Sequence, residues 1–451
     1  MKKTAFLGSL ALSVFANCAE LPQLVIPEGV GVNIHFTRGH TRDLDMIAAA
    51  GFKWVRMDFA WSGIERSKGQ YDWSAYEELT DNLEKRGLRA LYILDYSNPL
   101  YEETVVSKNP ITGQETKATA SPQKPESVAA FARWAAAAAA HFRDRNVIWE
   151  IWNEPNIFFW QPKPNVRQYS TLALETTRAI KEANPKSIVV GPATSEVPIR
   201  FLEGCFESGL LDVFDAISVH PYRDYRKPPE TAAEDYAKLR ELIGRYAKSE
   251  SKQRIPILSG EWGYATHSRG VSLDTQAAFA VRQQLANLLA EVPLSIWYDW
   301  KNDGPDPDER EHNFGVVTAD LNAKPAYTAI KTLTTELAGH RISKRIDVGN
   351  PNDYVLLMFG PEQSRKLAAW TTGDRHTVSV KARVSDGAEI SGVTGLGEKV
   401  AAQQLSEQSE SKSGANQSPA NRKLAFGREA LVIELGPMPI YVSLNNAVVL
   451  E

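Results

Sequence analysis

Val147 to Asn156 reads Val-Ile-Trp-Glu-Ile-Trp-Asn-Glu-Pro-Asn, and this stretch decides how the rest of the chain is understood. An apolar run of β-branched and aromatic residues favours a strand, and Pro155, which has no amide hydrogen to give to a ladder, stops it. The spacing predicts a strand over Val147 to Glu154 that carries a carboxylate at its C-terminal end. In an α/β barrel that end forms the floor of the active site, so Glu154 is the first candidate for chemistry. The remaining question is whether a second carboxylate is delivered to an equivalent place.

Working outward, strand and helix patterns alternate from residue 29 to residue 339. Strands are predicted at Gly31 to Phe36, Lys53 to Trp61, Leu88 to Tyr96 and Val147 to Glu154, then at Ser187 to Gly191, Ala216 to His220, Ile255 to Tyr264 and Leu294 to Trp300. Helical spacing separates them, including the Ala-rich Glu126 to Arg143 and the amphipathic Thr231 to Lys248. Strict alternation of eight strands with eight helices leaves a closed (β/α)8 TIM barrel as the simplest solution. Ser97 to Pro125 is too long and Pro-rich for a minimal connection, and is read as a wall of the binding cleft. After residue 340 the period changes. Short runs at Tyr354 to Phe359, Lys366 to Thr371, Thr377 to Arg383, Ala430 to Leu435 and Ile440 to Leu444 suggest a small β-sandwich spanning 340–451. Low-complexity Gln403 to Arg422 is read as a flexible loop within it.

Composition bounds the partners. With 451 residues, 43% apolar content and a formal charge of -4, the chain suits a large globular domain plus a smaller one. No large basic excess argues for nucleic acid, which needs clustered Lys and Arg. The 11 Trp and 15 Tyr supply flat faces suited to sugar rings as well as to cores. Lys2 and Lys3 precede the apolar run Thr4 to Ala16, the pattern of a signal peptide over residues 1–19, so export to the periplasm or outside the cell is expected. Cys18 leaves a lipoprotein anchor as the alternative, although Asn17 fits such processing poorly. No later run reaches the length of a transmembrane segment.

Strand seven answers the opening question, because Glu261 ends it within Ser-Gly-Glu-Trp-Gly. Opposite strands face each other across a barrel mouth, so Glu154 and Glu261 can flank one bond. Hydrolysis of an acetal needs a proton for the leaving oxygen and negative charge beside an oxocarbenium-like centre, which two carboxyl groups provide. The motifs Glu-Ile-Trp-Asn-Glu-Pro-Asn (Glu150 to Asn156) and Ser-Gly-Glu-Trp-Gly resemble clan A of the glycoside hydrolases. They look most like family 39, which contains β-xylosidases and bacterial exopolysaccharide hydrolases, with family 5 a close competitor. The resemblance implies a retaining mechanism, Glu154 as general acid/base, Glu261 as nucleophile and Asn153 as the reader of the sugar 2-hydroxyl. The two-carboxylate chemistry needs no cofactor, and no metal is expected because no second His lies at ligand spacing from His220.

Supporting residues follow from the same comparison of motifs. Arg56 is expected to fix ionised Glu261, or else to pair with Asp58. Tyr222 is expected to bond the nucleophile, and His220 a sugar hydroxyl or Glu261. Trp300 is chosen over Trp297 as the floor of the cleaved-sugar site, and His35 as a further cleft residue. Asp95, Trp152, Trp160 and Trp262 suit the cleft or the core equally. The chain thus reads as a secreted retaining β-glycosidase acting on a polysaccharide or oligosaccharide, with endo action favoured by the long loop. An exo-acting β-xylosidase and a catalytically inactive carbohydrate-binding protein are the alternatives.

Overall fold

Eight parallel strands close into a barrel in the computed structural model of the protein, which describes residues 20–108, 115–404 and 423–450. They are β1 (Val30–Asn33), β2 (Trp54–Ala60), β3 (Arg89–Asp95), β4 (Val147–Ile151), β5 (Ile188–Ser195), β6 (Ala216–His220), β7 (Ile257–Trp262) and β8 (Ser295–Trp297). Each pairs with its sequence neighbours, and β1 closes the ring on β8 through Gly31 opposite Ile296. Gly31 is required there, since a Cβ would overlap the Ile296 side chain at 2.2 Å. The Ala-rich helix Pro125–His141 buries Ala130, Ala135, Ala138 and Ala139, whose small side chains permit close approach. Asn165 caps helix Val166–Ala183 by accepting from the amides of Arg167 and Gln168.

Most strands start or stop within a few residues of the predicted bounds, β1 ending at Asn33 rather than Phe36, and three of the differences bear on the cleft. β5 runs past Pro192 to Ser195, because its register with β6 shifts between Pro192 and Thr194 and the proline needs no ladder partner there. β8 ends at Trp297, three residues early. β4 ends at Ile151, where Trp152 (φ 67°) and Glu154 (φ 46°) enter left-handed conformations. Within Ser97 to Pro125 the segments Thr104–Lys108 and Glu115–Thr119 pair as an antiparallel hairpin.

Beyond Arg341 the chain forms a nine-stranded sheet. Its long strand His376–Thr394 passes from one half to the other across a register shift between Val384 and Glu389. The halves enclose one apolar cluster, so the expected sandwich is a single sheet folded over its own core. Alternation does the rest. Val355, Leu357, Leu367 and Ala369 face that core, while Leu356, Met358, Ala368 and Trp370 join the core of the barrel. Buried Arg282 grips Glu230 with two bonds of 2.7 and 2.8 Å, and the Trp370 indole donates to the same carboxylate at 2.7 Å. Gln403 and Gln404, read as the start of the loop, pair instead with Ala425 and Phe426. The signal-like segment, Cys18 and the remainder of that loop lie outside the described residues. Among those described, no helix is long and apolar enough to cross a membrane.

Candidate active site

The barrel interior is apolar at its base and charged one step higher. Trp54, Leu91, Ile148, Val190, Ala216, Leu258 and Ile296 plug the bottom. Two residues further along their strands, Arg56, Glu150 and Ser218 replace the hydrocarbon. Glu150 is fully buried, accepts from Arg56 Nε at 2.7 Å and accepts from the Ser218 hydroxyl. Gly260 on β7 makes room for this layer: a Cβ there would lie 2.4 Å from Ser218 Oγ and 3.0 Å from Glu150. Its role is space for neighbours rather than a turn.

The two strand-end carboxylates reach the cleft by breaking strict alternation. Asn153 and Glu154 both line it, which consecutive residues of a regular strand cannot do. The left-handed turns at Trp152 and Glu154 allow it, and the Glu154 amide is anchored on Ala193 O at 2.9 Å. On β7 the two residues between Ser259 and Trp262 face the single Ile296 on β8, a bulge that lets Glu261 turn inward beside Gly260. An oxygen of Glu154 then lies within 4.8 Å of an oxygen of Glu261. The cleft above them measures about 790 Å³.

Arg56 organises the charges. Fully buried, it donates to Glu150, Glu261, Asn33 Oδ1 (3.2 Å), Asn153 Oδ1 (2.9 Å) and His220 Nε2 (3.2 Å); its carboxylate partners are Glu150 and Glu261 rather than Asp58. A guanidinium has no acceptor, so His220 Nε2 carries no hydrogen and its Nδ1–H donates to Glu154 Oε1 at 3.0 Å. Burial, reinforced by Arg56, lowers the His220 pKa to about 4 and keeps the ring neutral. Burial raises Glu154 to about 7 against the opposing pull of Arg56. Glu261 accepts from Arg56 on one oxygen and from the Tyr222 hydroxyl at 2.9 Å on the other. The Tyr222 phenol is held well above its ordinary range, first by burial and then by Glu261, so it remains a donor. Asn153 completes the group by donating to Tyr96 at 3.0 Å.

A model of the cellulase family, glycosyl hydrolase family 5, matches residues 28–304. The chain belongs to this glycosyl hydrolase family. It is 25% identical to a β-xylosidase of Caldicellulosiruptor saccharolyticus over 230 residues, 46% of this chain and 44% of the relative, so the match spans under half of that protein. Its fold resembles a family 39 glycoside hydrolase from Bacteroides cellulosilyticus WH2 (TM-score 0.74, 23% identity, covering 94% of this chain and 81% of the other). It also resembles a family 39 β-xylosidase from Caulobacter crescentus (TM-score 0.59, 18% identity, 95% and 98%).

In this glycosyl hydrolase, Asn153, Glu154, Tyr222, Glu261, Arg56 and His35 converge on one cleft, but two expected residues do not reach it. Trp300 is 1% exposed, and its indole donates to Asp43 at 3.0 Å. The ladder of β8 ends before it, so the parity that pointed Trp300 inward does not extend that far, and Tyr298 lines the cleft instead. His220 was expected on a sugar hydroxyl or on Glu261. It lies fully buried behind Glu154, with both ring nitrogens engaged. Trp152, Trp160 and Trp262 are buried packing residues, and Asp95 is fully buried and does not line the cleft; burial and the neighbouring Asp58 raise its pKa. Glu150 is the main residue overlooked. Its signal was present as a lone acid two residues from Ile148, in the inward phase of an apolar strand. Arg310 and the exposed Phe158, both on loops of the cleft, carried no such signal.

Proposed function

We propose that the chain is a β-glycoside hydrolase that cleaves by double displacement with retention, Glu154 acting as acid/base and Glu261 as nucleophile. The observation that carries this reading is the pairing of a carboxyl raised to about 7 with a carboxylate bonded to Arg56, their oxygens within 4.8 Å. Retaining enzymes hold their carboxyl groups roughly 5 to 5.5 Å apart, whereas inversion needs about 6.5 to 9.5 Å to admit a water. In the first step Glu154 gives its proton to the leaving oxygen while Glu261 attacks the anomeric carbon. The glycosyl-enzyme ester removes the charge of Glu261, and Glu154, now ionised, takes a proton from the attacking water. His220 stays neutral throughout and holds Glu154 in place. Asn153, fixed by Arg56 and Tyr96, meets the 2-hydroxyl.

The proposal extends to endo action on a polysaccharide by an exported enzyme. Tyr96, Phe158 and Phe159 form part of the walls of both the main cleft and an adjoining depression of about 390 Å³ that Ala118 and Thr119 of the hairpin help to line. Such continuity supports binding of several sugar units. Exo-acting β-xylosidase action is the second reading, favoured by the β-xylosidase relative. Glu261→Ala should abolish turnover of activated aryl glycosides, and azide should restore it with a glycosyl azide of inverted configuration as product. Ordinary activity in that variant would remove the assignment.

A further inference from the structure

We propose that His35, Asp299 and Asp303 form a site for one divalent transition-metal ion at the rim of the cleft, where the end of β1 meets the segment following β8. One ligand atom from each of the three lies within 4.8 Å of the others, and His35 Nε2 stands 3.5 Å from Asp299 Oδ2. Ligand atoms about 2.0 to 2.2 Å from a tetrahedral ion are separated by roughly 3.4 Å, so the His35 and Asp299 pair already has the spacing of two ligands.

Asp299 supplies the independent observation. It is 1% exposed, and among the described residues its oxygens have no hydrogen-bond partner nearer than His35 Nε2 at 3.5 Å, which is itself one of the three proposed ligands. A buried carboxylate left in that condition is unfavourable, and a cation resolves it. Lys324, the ammonium nearest in influence, directs its hydrogen bonds to Thr266, Asn302 and Asn313 at 3.2 to 3.4 Å. His35 and Asp303 are solvent-exposed, so an ion has an entry path.

Chemistry narrows the ion. One imidazole and two carboxylates suit Zn2+ or Mn2+, whereas Ca2+ prefers an all-oxygen cage. Among the described residues Glu154, His220 and Glu261 are the other group with suitable spacing, but Arg56 lies against two of them and opposes a second cation. An ion on His35 and Asp299 would tie β1 to the β8 segment. It would thereby fix Tyr298, whose ring meets His35 edge-on at 5.6 Å in the cleft wall.

The test uses the full chain without a histidine tag, stripped with a chelator and titrated calorimetrically with Zn2+, Mn2+ and Ca2+. One transition-metal ion per chain is expected, with weaker Ca2+ binding and a rise in melting temperature on addition of Zn2+ or Mn2+. Asp303→Asn, an exposed position whose fold is checked by circular dichroism, should weaken binding at least as much as the roughly 10 to 100-fold that loss of an outer-shell partner costs. Glu154→Gln should leave the binding unchanged. Binding lost in Glu154→Gln but kept in Asp303→Asn would move the ion to the carboxylates of β4 and β7 and overturn the proposal. Heat-silent titration with no thermal shift at millimolar metal would overturn it as well.

Discussion

Glu154→Gln keeps the size of the side chain and the hydrogen bond from His220 but removes the transferable proton. Burial holds the Glu154 pKa at about 7 instead of 4.5. At pH 6 a carboxyl titrating at 4.5 would be protonated in about 3% of molecules and one titrating at 7 in about 90%, so the shift supplies roughly a 30-fold gain in acid-competent enzyme. The wild-type kcat/KM for a glycoside with a poor leaving group should therefore fall about tenfold per pH unit above pH 7. In the variant it should be about 100 to 10,000-fold lower, while dinitrophenyl glycosides, which leave unaided, suffer far less. The limb near pH 7 should vanish. Stability offers a second readout with a fixed sign. Between pH 4.5 and about 7 the folded state retains a proton that the unfolded chain has released, so wild-type stability falls as pH rises through this window. The difference between about 7 and 4.5, at about 1.36 kcal/mol per unit, amounts to roughly 3 kcal/mol, and Glu154→Gln should lack that loss. Stopped kinetics across pH 4 to 9 and urea unfolding at pH 4.5 and 8 measure the two effects. An alkaline limb that survives in Glu154→Gln, or equal losses on both substrate types, would refute the acid assignment.

Two further perturbations address the charged layer and the cleft length. Arg56→Met strands Glu150, which is fully buried, and breaking such a pair costs about 3 to 5 kcal/mol. Urea unfolding should show that loss, and Arg56→Met/Glu150→Gln should recover part of it; a single variant as stable as wild type would contradict the network. Phe158 is 65% exposed, so Phe158→Ala should leave unfolding unchanged. Losing a stacking face worth on the order of 1 kcal/mol should lower kcat/KM about fivefold on long oligosaccharides and little on short aryl glycosides. An equal effect on both would count against the extended cleft.

What could be read from the sequence was whatever depends on local periodicity. The barrel followed from strand and helix spacing, and Glu154 and Glu261 from carboxylates placed at strand ends. Trp300 failed because side-chain parity was carried past the point where β8 leaves its ladder. Glu261 reached the cleft through a bulge that no pattern at Gly260 announces, since a glycine there reads equally as a turn. His220 was located on the right strand but given another partner, because its contact with Glu154 depends on the left-handed backbone at Trp152 and Glu154, which no residue pattern announces. The β-domain was legible as strands, yet the passage of His376–Thr394 between two halves of one sheet depends on long-range pairing.

Arg56 explains why these distant residues act together. Its five N–H groups spread over carboxylate, amide and imidazole acceptors at once, which an ammonium with three donors could not do in fixed directions. The bond to His220 Nε2 fixes the tautomer, the tautomer directs Nδ1–H at one oxygen of Glu154, and the other oxygen is thereby left to carry the mobile proton. The bond to Glu261 sets a permanent cation against the proposed nucleophile. Glu150 completes the balance. In the proposed glycosyl-enzyme Glu261 is an uncharged ester, and without Glu150 the buried Arg56 would then lie among neutral groups only; Glu150 keeps it paired throughout the proposed cycle. The acid buried within Val147 to Ile151 thus serves the acid presented just beyond it.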